Sequence, residues 1–195
     1  MRIEQLIKAI LAQLNTVIVG KSGQVRQSVT CLLAGGHLLI EDVPGVGKTT
    51  LARIIASSLD RPFYTLSAVS SGVKDVREVI QKVEQSGLFG AGNAILFIDE
   101  IHRFSKSQQD SLLGAVEKGV LTLIGATTEN PSFEVNAALL SRCQVYVLKP
   151  LEKEDLTTLL HRTLEKDEFL KKRDLRIVED KAILRHSGGD ARRLL

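Results

Sequence analysis

With 195 residues, 44% of them hydrophobic and 25% charged, the chain can bury a full core and has the composition of an ordinary soluble globular protein. No apolar run reaches membrane-spanning length, and Glu4 and Gln5 interrupt the amino-terminal hydrophobics where a secretory signal needs a continuous apolar stretch, so a cytoplasmic location with no membrane contact is expected. Cys31 and Cys143 fit no Cys-x-x-Cys or Cys/His metal spacing and read as reduced and structural, while a net charge of +3 admits a polyanionic partner without demanding one.

In chain order, residues 2–14 set Ile3, Leu6, Ile7, Ile10, Leu11 and Leu14 on one helical face, and residues 24–34 read as a second helix. "HLLIE" (37–41) is a buried strand, followed by a Gly-rich turn and a helix through "TTLARIIASSL". "FYTL" (63–66) is strand-like, and the spacing of Val73, Val76, Val79, Ile80 and Val83 predicts a helix to about Gln85. The run "AILFI" (94–98) is followed by a polar helix at about 106–118, then "LTLIGA" (121–126), a short helix at 135–141 and "QVYVL" (144–148). Five short apolar strands separated by helices imply a parallel α/β sheet covered on both faces. Beyond Pro150 the strand signal disappears, leaving two or three helices, with "KDEFLKKRD" (166–174) expected as an exposed loop. That shift marks a domain boundary near 149–151.

The nucleotide expectation comes from "GVGKTT" (45–50), which leaves a strand and opens a helix. Gly45 and Gly47 let the backbone wrap phosphate oxygens with its N–H groups, and the helix amino terminus adds partial positive charge. Lys48 would reach the β- and γ-phosphates and the Thr49 hydroxyl would hold Mg2+. Gly45, Val46, Gly47, Lys48, Thr49 and Thr50 are therefore the candidate ATP-binding residues. The full spacing G-x-x-x-x-G-K-[ST] has Asp42 at its first position. A carboxylate turned into the cradle would repel phosphate, so Asp42 is expected to point away. "AILFIDEIH" (94–102) supplies the complement: Asp99, at the carboxyl end of a strand, suits Mg2+, and Glu100 suits the orientation or activation of the attacking water.

With these two motifs in place, the chain resembles the AAA+ ATPases, and the resemblance covers essentially its whole length. Residues from about 61 onward, notably "FIDEIHRFSKSQQDSLLGAVEKG", "TLIGATTENPSFEVNAALLSRC" and "SGGDARRLL", resemble the replication-associated recombination protein A family. Residues 1 to about 48, with "EDVPGVGKT", look instead like MoxR ATPases, in which Asp at this place is familiar. The resemblance implies a nucleotide-binding α/β domain over 1–150 with a P-loop sheet of order 5-1-4-3-2 and a partial helical lid over 151–195, and it assigns further roles. Thr128 in "GATTEN" matches sensor 1, with Asn130 as the alternative. Arg142 in "LLSRC" looks like an arginine finger for a neighbouring subunit. Arg192 in "GGDARR" matches sensor 2, with Arg193 as the alternative, and Ile18 and Val19 in "VIVG" fall where the adenine pocket is lined or belong to ordinary core.

The implied function is Mg2+-dependent ATP hydrolysis to ADP, coupled to DNA remodelling at stalled forks or single-strand/double-strand junctions. The implied partners are DNA, a single-stranded-DNA-binding protein and further copies of the chain. Lys74, Arg77 and Lys106 are candidate contacts to DNA phosphates or plain charged helix surface. Two other readings stand beside this one: a MoxR-like chaperone ATPase, and a nucleotide-binding module that does not turn over.

Overall fold

In the computed structural model, which describes residues 3–42, 48–87, 94–173 and 175–195, the five apolar runs are strands. They are β1 (His37–Asp42), β2 (Phe63–Ser67), β3 (Ala94–Asp99), β4 (Leu121–Thr127) and β5 (Cys143–Leu148). All four pairings are parallel, in the order β2-β3-β4-β1-β5, which is the order that the family resemblance implies, written from the other edge.

Parallel neighbours require crossovers, and the helices that provide them cover both faces of the sheet. Because side chains alternate along a strand, each strand feeds two cores. On one face Leu38, Ile40, Ile95, Phe97, Ile124 and Ala126 pack against α1 (Ile3–Val17), α2 (Ser22–Leu33) and α3 (Lys48–Ser58). On the other, Leu39, Leu96, Ile98, Leu121 and Leu123 pack against α4 (Val73–Gly87), α5 (Lys106–Glu117) and α7 (Ala137–Leu140). Each such aliphatic side chain contributes about 1.5–3 kcal/mol by leaving water. β4, central to the sheet, is buried along its whole length, whereas β5 at the edge leaves Val145 and Val147 exposed.

Local chemistry explains the element starts. Ser105 and Gln108 form a capping box, each side chain accepting from the other's backbone N–H, and this starts α5 at Lys106. α7 falls within the short helix expected at 135–141, and a separate turn that the sequence reading did not expect, α6 (Pro131–Glu134), precedes it. Asn130 and Asn136 each cap a new start by accepting from Ser132 N and Ala138 N, and Pro131 occupies the first helical position of α6. α1 runs on to Val17, one turn past its predicted end.

After Pro150 the described residues form α8 (Lys153–Lys166), α9 (Glu168–Lys171), α10 (Lys181–Ser187) and α11 (Ala191–Leu194). α9 corrects the loop expected at 166–174: Asp167 accepts from Phe169 N and Leu170 N and winds one exposed turn. Leu156, Leu160, Leu184 and Leu194 enter the same cluster as α1 to α3. The buried Lys21 donates from Nζ to the Pro150 carbonyl at 3.1 Å, tying the start of α2 to this junction. Leu151 N reaches the Gly189 carbonyl at 3.1 Å, and a Cβ on Gly189 would meet Pro150 Cβ at 2.6 Å.

Candidate nucleotide site

In a parallel sheet all strands end on one side, and here the ends of β1, β4 and β3 are level: Glu41 pairs with Thr127, Ile98 with Gly125, and Ser67 with Asp99. β4 lies between β1 and β3, so Thr127 and Thr128 stand between the end of β1 and the acids Asp99 and Glu100 at the end of β3. Ligands of open α/β sheets bind along such carboxyl edges.

Lys48 opens α3 and is only 7% exposed, yet among the described residues its ammonium has no hydrogen bond or ion pair. A buried cation without a partner among the described residues fits an anionic ligand, since leaving it uncompensated is costly. Thr49 beside it is half-buried and Thr50 exposed. Gly45, Val46 and Gly47, and with them the cradle itself, lie outside the described residues, as does the direction of the Asp42 side chain.

β3 is buried up to Ile98 and becomes half-buried at Asp99, whose carbonyl accepts from Ala68 N at 3.0 Å. Glu100 then adopts φ 55° and ψ 44°, a left-handed conformation that costs a residue with a Cβ about 1–2 kcal/mol. The turn around it is closed by Arg103 N to the Glu100 carbonyl at 2.8 Å and by the fully buried Ile101. Gly125 leaves room for that anchor: a Cβ there would meet Leu39 Cδ2 at 2.6 Å and Ile101 Cδ1 at 3.1 Å. Thr128 Oγ1 donates to Glu100 Oε2 at 3.1 Å, bringing together two residues that the sequence assigned separately. Asn130, the alternative to Thr128, is engaged as the cap of α6.

Two residues of this cluster escaped the sequence reading. His102 sits with Nε2 3.4 Å from Glu100 Oε2 and Nδ1 2.9 Å from Thr127 Oγ1. Thr127, wholly buried, exchanges hydrogen bonds of 3.0 Å with the backbone N–H and carbonyl of Glu129. The only hint in the sequence was the His that follows "DEI" at the end of an apolar run.

The other candidates lie elsewhere. Arg142 precedes β5 and pairs with Glu117 of α5, and its Nη1 donates to the Ala138 carbonyl at 2.6 Å. Since Cys143 is level with His37, Arg142 stands at the amino edge of the sheet, roughly 17 Å of strand from the cluster above. Arg192 and Arg193 are exposed on α11, where Asp190 caps the helix and lies 4.0 Å from Arg193. Ile18 is buried among core residues and Val19 is half-buried. Lys74 is 89% exposed and 3.8 Å from Glu78. Arg77 and Lys106 are exposed too, and Gln108 Nε2 donates to the Ser71 carbonyl at 2.9 Å, holding the starts of α4 and α5 side by side.

At the amino edge, burial and the neighbouring Arg61 lower the pKa of His37, whose Nδ1 accepts from Leu123 N at 3.0 Å. Burial pushes the Cys143 thiol up to about 12 and raises that of Cys31, so both stay protonated and inert.

Residues 38–151 match the model of the ATPase family associated with various cellular activities (AAA), and the chain belongs to that family. It is 56% identical over 151 residues to the ATPase WRNIP1 of Dictyostelium discoideum, covering 76% of this chain and 17% of that protein. It is 46% identical over 169 residues to the replication-associated recombination protein A of Escherichia coli K12, covering 84% of this chain and 38% of that protein. Among solved structures it resembles the Thermotoga maritima RuvB Holliday junction branch migration motor, with a TM-score of 0.70 at 29% identity over 90% of this chain and 59% of that one. The chain thus spans well under half of the length of the two curated relatives. The Escherichia coli match leaves about 31 residues unaligned (16% of 195), so it reaches into the first 48, and these matches lend no support to the MoxR likeness.

Proposed function

We propose that the chain binds ATP with Mg2+ at the carboxyl edge of its sheet and hydrolyses it to ADP and phosphate. Turnover would be coupled to remodelling of DNA at stalled forks or recombination junctions. The observation that carries the reading is the Thr128–Glu100 contact beside Asp99 at that edge, together with a buried Lys48 that has no partner among the described residues and opens the helix after β1.

Residues 1–150 serve as the nucleotide-binding domain and 151–195 as the lid. Lys48 binds the β- and γ-phosphates, with the backbone of Gly45, Val46 and Gly47 around them and Thr50 at the rim. The Thr49 hydroxyl and Asp99 carboxylate are hard oxygen donors of the kind Mg2+ takes and would hold the ion, which would offset the charge of the phosphates. Glu100 orients the water that attacks the γ-phosphorus and receives its proton as the bond to the ADP oxygen breaks. Thr128 holds Glu100 and contacts the γ-phosphate, Arg192 approaches from the lid, and Ile18 and Val19 line the adenine side. Arg142 is too far along the sheet for its own chain's nucleotide and acts on a neighbour's, which makes a homo-oligomer the working form. Lys74, Arg77 and Lys106 form one basic rim for DNA phosphates. The names of the relatives support the replication and recombination setting; a cytoplasmic location and, as a further partner, a single-stranded-DNA-binding protein are proposed along with it.

A second reading, a module that binds nucleotide without turnover, is favoured by the pairing of Arg142 with Glu117 of its own chain. ATP turnover measured over a range of protein concentrations, with and without forked DNA, separates the two. The proposal expects a rate per chain that rises with concentration and again with DNA. Indifference to DNA would remove the coupling, and binding without turnover at every concentration would leave the second reading.

A further inference from the structure

We infer that His102 is a positioning residue that fixes Glu100 through one carboxylate oxygen, leaving the other to face the attacking water. The inference rests on the role proposed above for Glu100. Both contacts to that carboxylate fall on Oε2: the Thr128 hydroxyl at 3.1 Å and His102 Nε2 at 3.4 Å. Among the described residues nothing engages Oε1.

Holding Glu100 in this way requires one His102 tautomer. A carboxylate only accepts, so the imidazole nitrogen facing it carries the proton, and Nδ1 is left as an acceptor. Thr127 Oγ1 carries one proton and lies 2.9 Å from Nδ1 and 3.0 Å from the Glu129 carbonyl; with Nε2–H toward Glu100 that proton goes to Nδ1, and Oγ1 accepts from Glu129 N at 3.0 Å. The relay therefore runs from Glu129 N–H through the Thr127 hydroxyl and the imidazole to Glu100. It is anchored on the last residue of β4, which is wholly buried, and on the turn Ile101–Arg103, closed by Phe104 N to the Ile101 carbonyl at 3.0 Å. The 3.4 Å separation is longer than an ideal N–H···O bond, as catalytic contacts often are before substrate binds. Held by Thr128 alone, a glutamate with three rotatable bonds would sweep an arc. Held from both sides, Oε1 keeps one direction.

The substitutions separate the two imidazole nitrogens. His102→Asn keeps an acceptor for Thr127 and loses the donor to Glu100, whereas His102→Gln carries a donor to that distance. We expect His102→Asn to lower kcat about 10- to 100-fold, the range set by small misplacements of a reacting group, with MgATP affinity unchanged. His102→Gln should recover most of that loss. Thr127→Val, which removes the anchor at nearly constant shape, should lower kcat in the same direction. In single-turnover measurements on a Glu100→Gln background, His102→Asn should cost nothing further. A wild-type kcat for His102→Asn beside a crippled Glu100→Gln would overturn the inference and spare the role of Glu100. An equal loss in both backgrounds, or equal losses for Asn and Gln with lowered melting temperatures, would make His102 merely structural. Wild-type turnover by Glu100→Gln itself would overturn the underlying reading.

Discussion

Lys48 brings a positive charge into a buried place at the first turn of α3, where the helix also presents its unpaired N–H groups. A hydrogen bond to a charged group contributes about 1.5–3 kcal/mol, so Lys48→Ala should weaken MgATP binding on the order of 10- to 100-fold. Since no partner among the described residues loses a contact, the melting temperature should stay level or rise. Calorimetric titration checks both, and unchanged affinity would contradict the site. Lys48, Thr49, Asp99 and Glu100 were candidates in the sequence because residue type, spacing and a preceding strand together point to phosphate and Mg2+ chemistry. His102 and Thr127 were not, because their role depends on a left-handed Glu100 and a short turn that bring Nε2 to Oε2, and neither leaves a periodic signal.

Among the elements, the five strands and the longer helices could be read because apolar runs and 3.6-residue spacing report burial directly. Their parallel order came from family likeness, since periodicity cannot tell which strand lies beside which. The breaks were hidden where one capping side chain decides, as at Asn130, Asn136 and Asp167. The amino edge of the sheet was equally hidden. There Arg61 Nη2 donates to the buried Thr122 hydroxyl at 2.6 Å, and His37 Nδ1 accepts from Leu123 N, joining β1 to β4. Since burial and Arg61 lower the pKa of His37, its neutral form is the native one. Its contribution to stability is present above the unfolded value of about 6.5 and is lost as the pH falls through the lower folded value. His37→Gln retains an acceptor without the titration. Between pH 7.5 and 5 its denaturation midpoint should fall less than that of the parent, and parallel curves would show that His37 does not drive the acid sensitivity.

For the molecule as a whole, the two ends of the sheet divide the chemistry. Lys48, Asp99, Glu100 and Thr128 gather at the carboxyl edge, while Arg142 stands at the amino edge, held by Glu117. No side chain reaches across roughly five residues of strand, so in the proposed mechanism Arg142 serves the γ-phosphoryl oxygens of a second copy and not those of its own chain. Such a group contributes on the order of 10³-fold or more to turnover. The central claim is therefore a nucleotide site built by one chain and completed by another. Its most direct test is the ATP turnover of a mixture of Lys48→Ala protein, which keeps its Arg142, with Arg142→Ala protein, which keeps its nucleotide site. The account predicts that each variant alone is nearly inactive and that the mixture recovers part of the wild-type rate. A mixture that co-assembles by light scattering yet stays as inactive as its components, or an Arg142→Ala protein that turns over ATP at the wild-type rate, would contradict it.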